Sequence, residues 1–207
     1  MEDIIILGYG GHAKSIVDIV EQEGIYNIKG FVTPTGREVD NYRGHGVIAS
    51  DKELPVLYDQ GIKNAIIGIG FMGNSKVRNQ LYNELKKIGY YLPTVIDNTA
   101  IIAKDVSIEE GTVVGKGCII NSDSRIGKMT IINTHTVIEH ECRIGAFSHI
   151  AVSSVLCGGV KVGNETFVGA NTTVKQGVEI GNNVIIGMGS VVLNNVKNKT
   201  KCMGLVK

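Results

Sequence analysis

The chain of 207 residues has no tryptophan, three prolines and 5% aromatic residues. So few rings exclude a core built on stacked aromatics, and so little proline excludes a stiff proline-rich linker. Charge of one sign is also lacking, since 21 basic residues stand against 20 acidic ones for a formal net charge of +1. That balance offers no field for nucleic acid or for an anionic membrane surface. No long hydrophobic run occurs. The start, Met1-Glu2-Asp3, has an acidic head and only Ile4, Ile5, Ile6 and Leu7 before Gly8, which makes neither a membrane span nor a secretory leader. A cytoplasmic protein is expected. The four cysteines show no paired spacing, and Cys118 and Cys142 stand 24 residues apart. A disulfide framework and a cysteine metal site are therefore not expected, and small buried thiols are.

Glycine, by contrast, is abundant at 27 residues. From Ile96 to Val192 every sixth residue is Ile, Leu or Val, seventeen in succession without a miss. The residue two before each aliphatic is small or β-branched, as at Thr112, Cys118, Ser124, Thr130, Thr136, Cys142 and Ser148. One large and one small inward residue per six describes a short flat strand followed by a corner. Three such strands close one coil, and stacked coils make a parallel β-helix. Glycine follows the aliphatic at 115, 127, 145, 163, 169, 181 and 187, where a corner requires either positive φ or tight backbone approach.

Residues 1–95 read as alternating strands and helices, a small Rossmann-like α/β domain ahead of a β-helix over 96–207. Ile4 to Leu7 is a buried strand, Ala13 to Glu23 a helix closed by Gly24, and Ile28 to Val32 a second strand. Asn64 to Ile69 is a third strand, Ser75 to Ile88 a helix with Val77, Leu81 and Leu85 on one face, and Tyr90 to Ile96 a strand feeding the first coil. His45 stands in a loop. The parallel sheet places its carboxyl-end loops at Gly8–His12, at Thr33, and at Gly68–Gly73. Gly8-x-Gly10-x-x-Ala13 fits a structural turn, a loose dinucleotide fingerprint whose amides hold a phosphate of a nucleotide-linked ligand, or an NAD-type site, against which the second strand ends in Val32-Thr33-Pro34 with no acid placed to hold a ribose. The candidate substrate-binding residues are Gly8, Gly10, Gly11, His12, Ala13, Thr33, Gly68 and Gly70.

Three of the five histidines, His135, His140 and His149, fall within one coil. His140 and Glu141 lie just past the aliphatic Ile138, so the imidazole can face outward beside a carboxylate, the arrangement of a general base. Cys142 occupies the inward small slot, which removes it as a nucleophile. Gly158 follows His140 by one coil of eighteen residues, so its backbone lies about 4.8 Å away along the axis and can present an N–H to an oxyanion. His149, half a coil from His140, faces elsewhere; it either contacts a ligand or packs on Phe167. If both histidines serve one site, that site lies between subunits.

The hexads, the opening Gly8-Tyr9-Gly10-Gly11-His12-Ala13-Lys14, and above all residues 133–170 resemble the bacterial sugar-nucleotide acetyltransferases that include the bacillosamine-pathway N-acetyltransferase and the sialic acid O-acetyltransferase. The similarity covers essentially the whole chain. It implies a left-handed β-helix, a homotrimer, an N-terminal domain for the nucleotide sugar, and acetyl-CoA between subunits. It also implies His140 as base, Glu141 as its partner, Gly158 as oxyanion donor, and His149, Ala170 and Met188 as neighbours of acetyl-CoA. Two departures stand out: Thr33-Pro34 replaces a pair of acids common in relatives, and the C-terminus reads Gly204-Leu205-Val206-Lys207 instead of Gly-x-Pro-Ala-Lys. The expected reaction is N-acetylation of the 4-amine of a UDP-linked deoxy-amino sugar for a bacterial surface glycan or glycoprotein, without a metal. The alternatives are O-acetylation of sialic acid or its CMP form, and a non-catalytic sugar-nucleotide-binding protein. A zinc lyase resembling the gamma carbonic anhydrases would use His135 and His140, but Thr99 stands where a third ligand is needed.

Overall fold

The computed structural model describes residues 1–36 and 41–207. The chain divides into two compact units, Met1–Gly70 with Lys76–Val95, and Phe71–Ser75 with Ile96–Lys207.

The first unit contains β1 (Glu2–Leu7), α1 (Gly11–Glu23), β2 (Tyr26–Thr33), β3 (Asn41–Tyr42), β4 (His45–Ser50), α2 (Leu54–Asp59), β5 (Asn64–Ile67) and α3 (Lys76–Ile88). The sheet order is β3-β4-β2-β1-β5. β1 runs parallel to β2 and β5, and β2 parallel to β4, while β3 is antiparallel to β4. The unbroken Ile4–Leu7 run is fully buried, as a central parallel strand requires. α1 turns its Ala13, Ile16, Val17, Ile19 and Val20 inward and ends at Gly24, whose φ of 65° is the left-handed conformation of a helix stop.

Four expectations are corrected here. His45 opens β4 and does not lie in a loop, and its Nε2 is 3.1 Å from Glu21 Oε1. That strand and α2 escape a search for apolar periodicity because β4 buries only Ala49. The third strand stops at Ile67 and the segment after α3 forms only short pairings, a bridge at Tyr91 and the strand Val95–Ile96. On α3 the inward face is Arg78, Leu81 and Leu85, whereas Val77 is 52% exposed.

The second unit is a β-helix of two-residue strands in three parallel stacks. One stack runs from Ile101–Ile102 through Ile119–Ile120, Val137–Ile138, Val155–Leu156, Thr173–Val174 and Val191–Val192 to Leu205–Val206. A second holds Ser107–Ile108, Arg125–Ile126, Arg143–Ile144, Lys161–Val162 and Glu179–Ile180. The third includes Ile131–Ile132, His149–Ile150, Phe167–Val168 and Ile185–Ile186. The second residue of each pair points inward, so the six-residue aliphatics form one continuous core.

The corners resolve the glycine question. Positive φ falls three residues after the aliphatic, at every sixth position from Gly111 to Gly189, and not at the glycine that follows the aliphatic directly. That glycine is needed for close approach: a Cβ on Gly145 would lie 2.5 Å from the Gly163 carbonyl carbon in the next coil. The small inward residues also have a polar task, because their hydroxyls close the corner fifteen residues on. Thr130 Oγ1 donates to Gly145 O at 3.0 Å and Ser154 Oγ to Gly169 O at 2.9 Å. Cys142 takes the same slot, its Sγ 3.4 Å from Cys157 O.

Candidate active site

His140 sits on the corner after Val137–Ile138, and the backbone on both sides is pinned to neighbouring coils. Glu141 N–H donates to Ser122 O at 2.8 Å, and His140 O accepts from Gly159 N–H at 2.8 Å. Glu141 has φ 61°, which turns its side chain back toward the preceding imidazole. The result is a contact of 3.0 Å between His140 Nδ1 and Glu141 Oε2. A carboxylate there accepts a proton held on Nδ1, leaving Nε2 as the basic nitrogen. Both side chains remain open, 52% and 65% exposed.

Gly158 lies under that ring. A Cβ on Gly158 would meet His140 Cε1 at 2.5 Å and Nε2 at 2.6 Å, so the imidazole rests where any side chain would stand. Among the described residues the Gly158 N–H has no protein acceptor. Base and bare amide are thus brought side by side. The adjacent Cys142 thiol points into the core, and burial pushes its pKa up to about 11, so it is a neutral packing group at pH 7.

His149 is buried beside Phe167, at 5.2 Å between ring centroids, and beside Phe71 at 5.8 Å. Its Nδ1 is 2.8 Å from Phe71 O, and its Nε2 is 3.4 Å from Asn133 Nδ2. The packing on Phe167 anticipated from coil spacing is present. The contact to Phe71 was out of reach, because no periodicity says that residues 71–75 leave the α/β fold to lie on the β-helix. Ala170 and Met188 occupy one corner a coil apart, with Gly189 N–H donating to Ala170 O at 2.8 Å. Val152, a further coil back, is 41% exposed and Met188 80%.

His135 lies on a different corner with φ 59°, its ring over Gly117. Thr99 Oγ1 is a corner anchor, donating to Asp97 Oδ1 at 2.6 Å and accepting from Gly117 N–H at 2.9 Å. Among the described residues no three His, Cys, Asp or Glu side chains gather to hold a metal ion.

In the first unit the glycines separate by what surrounds them. Gly8 has φ 99°, donates to Val32 O at 2.7 Å, and has no room for a Cβ beside Ile69. Gly68 is equally closed, since a Cβ would lie 2.7 Å from the Ala13 Cβ. These two, with buried Ala13, lock β1, α1 and β5 together. Gly10 and Gly11 have nothing within 4 Å of an added Cβ, and Gly70 only the edge of His12 at 3.8 Å. Internal packing does not ask for glycine at these three, whereas a ligand lying on the backbone would. α1 carries no side-chain cap and no acid in its first turn, so its opening amides stay available. Thr33 is buried, and its Oγ1 accepts from Gly36 N–H at 3.0 Å.

Residues 3–85 match the PglD N-terminal domain family, and residues 159–194 match the bacterial transferase hexapeptide family of six repeats. PerB from Caulobacter crescentus, solved in complex with CoA and GDP-perosamine, is 33% identical, with 99% of this chain and 95% of that chain covered and a TM-score of 0.91. The chain belongs to the PglD-type hexapeptide-repeat acetyltransferases. A mutant GDP-perosamine N-acetyltransferase from the same organism, again with CoA and GDP-perosamine, is 32% identical with a TM-score of 0.93 over 99% of this chain and 94% of that one. The acetyltransferase domain of PglB from Neisseria gonorrhoeae shares the fold at 24% identity, with a TM-score of 0.90 over 99% of this chain and 97% of that one. No curated protein matches the chain by sequence.

In this PglD-type acetyltransferase the β-helix is accordingly the left-handed form. Sequence reasoning passed over Arg78. It is 1% exposed, donates from Nη1 to Ile69 O at 2.5 Å and to Ile67 O at 3.3 Å, and thereby fixes the loop that carries Gly68 and Gly70. A lone arginine in an apolar helical stripe was the available signal. No helix of the described residues is long and apolar enough to cross a membrane.

Proposed function

We propose that this protein transfers the acetyl group of acetyl-CoA to an amino group of a nucleotide-linked deoxy-amino sugar. One observation carries the reading: a carboxylate-oriented imidazole lying directly on a glycine whose N–H is bare. The acceptor amine attacks the thioester carbonyl carbon, forming the C–N bond while His140 Nε2 takes the amine proton. Glu141 balances the charge of the imidazolium, and the Gly158 N–H donates to the oxyanion. Collapse breaks the C–S bond, and the proton passes from His140 to the departing CoA sulfur. Transfer is direct, because Cys142, the nearest thiol in sequence, faces the core.

Residues 1–95 hold the nucleotide sugar, with Gly10, Gly11 and Gly70 as the backbone platform, His12 and Thr33 at its border, and Gly8, Ala13 and Gly68 setting its shape. Residues 96–207 hold acetyl-CoA and the catalytic groups. The exposed corner of Val152, Ala170 and Met188 suits the apolar arm of the cosubstrate, with His149 supporting the wall beside it. A homotrimer with sites between subunits is supported by the stack from Ile101 to Leu205. Its outward residues are almost all aliphatic, and Ile101, Val191 and Leu205 stay 67%, 42% and 57% exposed in one chain. The expected setting is the cytoplasm, where acetyl-CoA and nucleotide sugars meet for surface-glycan synthesis.

The test is thiol release from acetyl-CoA with UDP- and GDP-linked 4-amino sugars and with CMP-sialic acid as acceptors. The relative's GDP-perosamine complex makes the guanosine series as informative as the uridine series named by resemblance. Turnover with an amino sugar is the expected result. Release with CMP-sialic acid alone would move the protein to O-acetylation, and release with none would leave a binding role.

A further inference from the structure

The three stacks of the β-helix differ in what they turn outward. The stack from Ile101 to Leu205 shows aliphatic residues except Thr173, and the stack through Ile131 and Ile185 shows aliphatic and aromatic ones around His149 before ending on Lys201. The remaining stack shows Ser107, Arg125, Arg143, Lys161 and Glu179 in strict register. Three cations therefore stand on successive strands about 4.8 Å apart, an order that costs stability through like-charge repulsion. This face borders a groove of ≈ 1050 Å³. Its lining carries four basic residues (Arg125, Arg143, Lys161 and Lys197) against the acidic Glu109 and Glu179, in a chain whose whole formal charge is only +1.

The existing ion pairs do not use up this charge. Arg143 meets Asp123 at 3.1 Å and Lys161 meets Glu179 at 2.7 Å, but the Lys161 pair is 60% and 55% exposed, and pairs in water contribute little. Arg125 makes no ion pair among the described residues. Arg143 follows His140 by three residues, so the groove begins within about 10 Å of the base along the chain.

We propose that this groove binds a nucleoside-diphosphate group, with Arg125, Arg143 and Lys161 meeting its phosphates. The inference rests on the acetyltransferase reading, which holds the nucleotide sugar at residues 1–95 and leaves the nucleotide end of CoA as the group that brings this chemistry to the β-helix. A phosphate displaces Glu179 from Lys161 and supplies Arg125 with a counter-charge, converting the repulsive column into charge-assisted hydrogen bonds.

The test is calorimetric titration of the full chain and of an Arg125→Ser/Lys161→Ser double variant with CoA, UDP and GDP. Both positions are exposed, so the variant folds, which its circular dichroism checks. A Kd for CoA weakened about tenfold or more, with UDP and GDP unmoved, is the expected result; UDP or GDP weakened with CoA unmoved overturns the assignment of the groove to CoA. Unchanged affinities for all three in the variant overturn the proposal while leaving the acetyltransferase reading intact. Failure of the unaltered protein to bind CoA, UDP or GDP overturns both.

Discussion

An imidazole serves as a base for acyl transfer when one nitrogen is held protonated and the other is bare, and Glu141 at 3.0 Å from Nδ1 supplies that condition. The more exacting contribution comes from Gly158, where the missing side chain is what lets the ring lie down beside an amide that has no acceptor. Gly158→Ala places a Cβ 2.6 Å from Nε2, so the ring must leave its place. The expected loss in kcat is on the order of 10²-fold, within the range for displacing a general base, with little change in melting temperature because the ring is exposed. A variant that keeps its kcat would show that the shelf has no part in turnover.

At the scale of elements, the β-helix shows how far a repeat can be read and where reading stops. The hexad names the inward aliphatics Ile96 to Val192 and the small slot between them, and the structure buries the repeat as one core. It does not distinguish the two uses of a corner glycine, because positive φ and close approach both favour glycine in sequence. Only the structure shows that a Cβ on Gly145 would lie 2.5 Å from the next coil, while Glu141 and His135 take the left-handed conformation. Gly145→Ala therefore forces two coils apart, and thermal unfolding should report a loss of about 1–3 kcal/mol, the usual cost of overpacking. In the α/β unit, β1 and α1 were legible because burial follows their period. β4 was not, since it buries one residue of six, nor was Arg78, whose inward place contradicts hydrophobic patterning. At the candidate site, the juxtaposition of His140, Glu141 and Gly158 was legible from coil arithmetic, whereas the Phe71 contact to His149 depends on a segment that no repeat governs.

For the whole molecule, the apolar outward stack from Ile101 to Leu205 is a surface that a chain of balanced charge has reason to cover with copies of itself. Sedimentation equilibrium should give three times the chain mass of 22.2 kDa. Val155→Lys, in the middle of that stack, should shift the mass toward one chain and lower turnover with it; a fully active monomer would contradict sites built between subunits. The central claim concerns one proton, taken from the acceptor amine by His140. The direct measurement is the steady-state rate of thiol release from acetyl-CoA by His140→Ala beside the unaltered protein, both at saturating nucleotide-linked amino sugar. The account predicts kcat lower by about 10²- to 10⁴-fold with acetyl-CoA affinity retained. A His140→Ala enzyme turning over within a few-fold of the unaltered rate would contradict it.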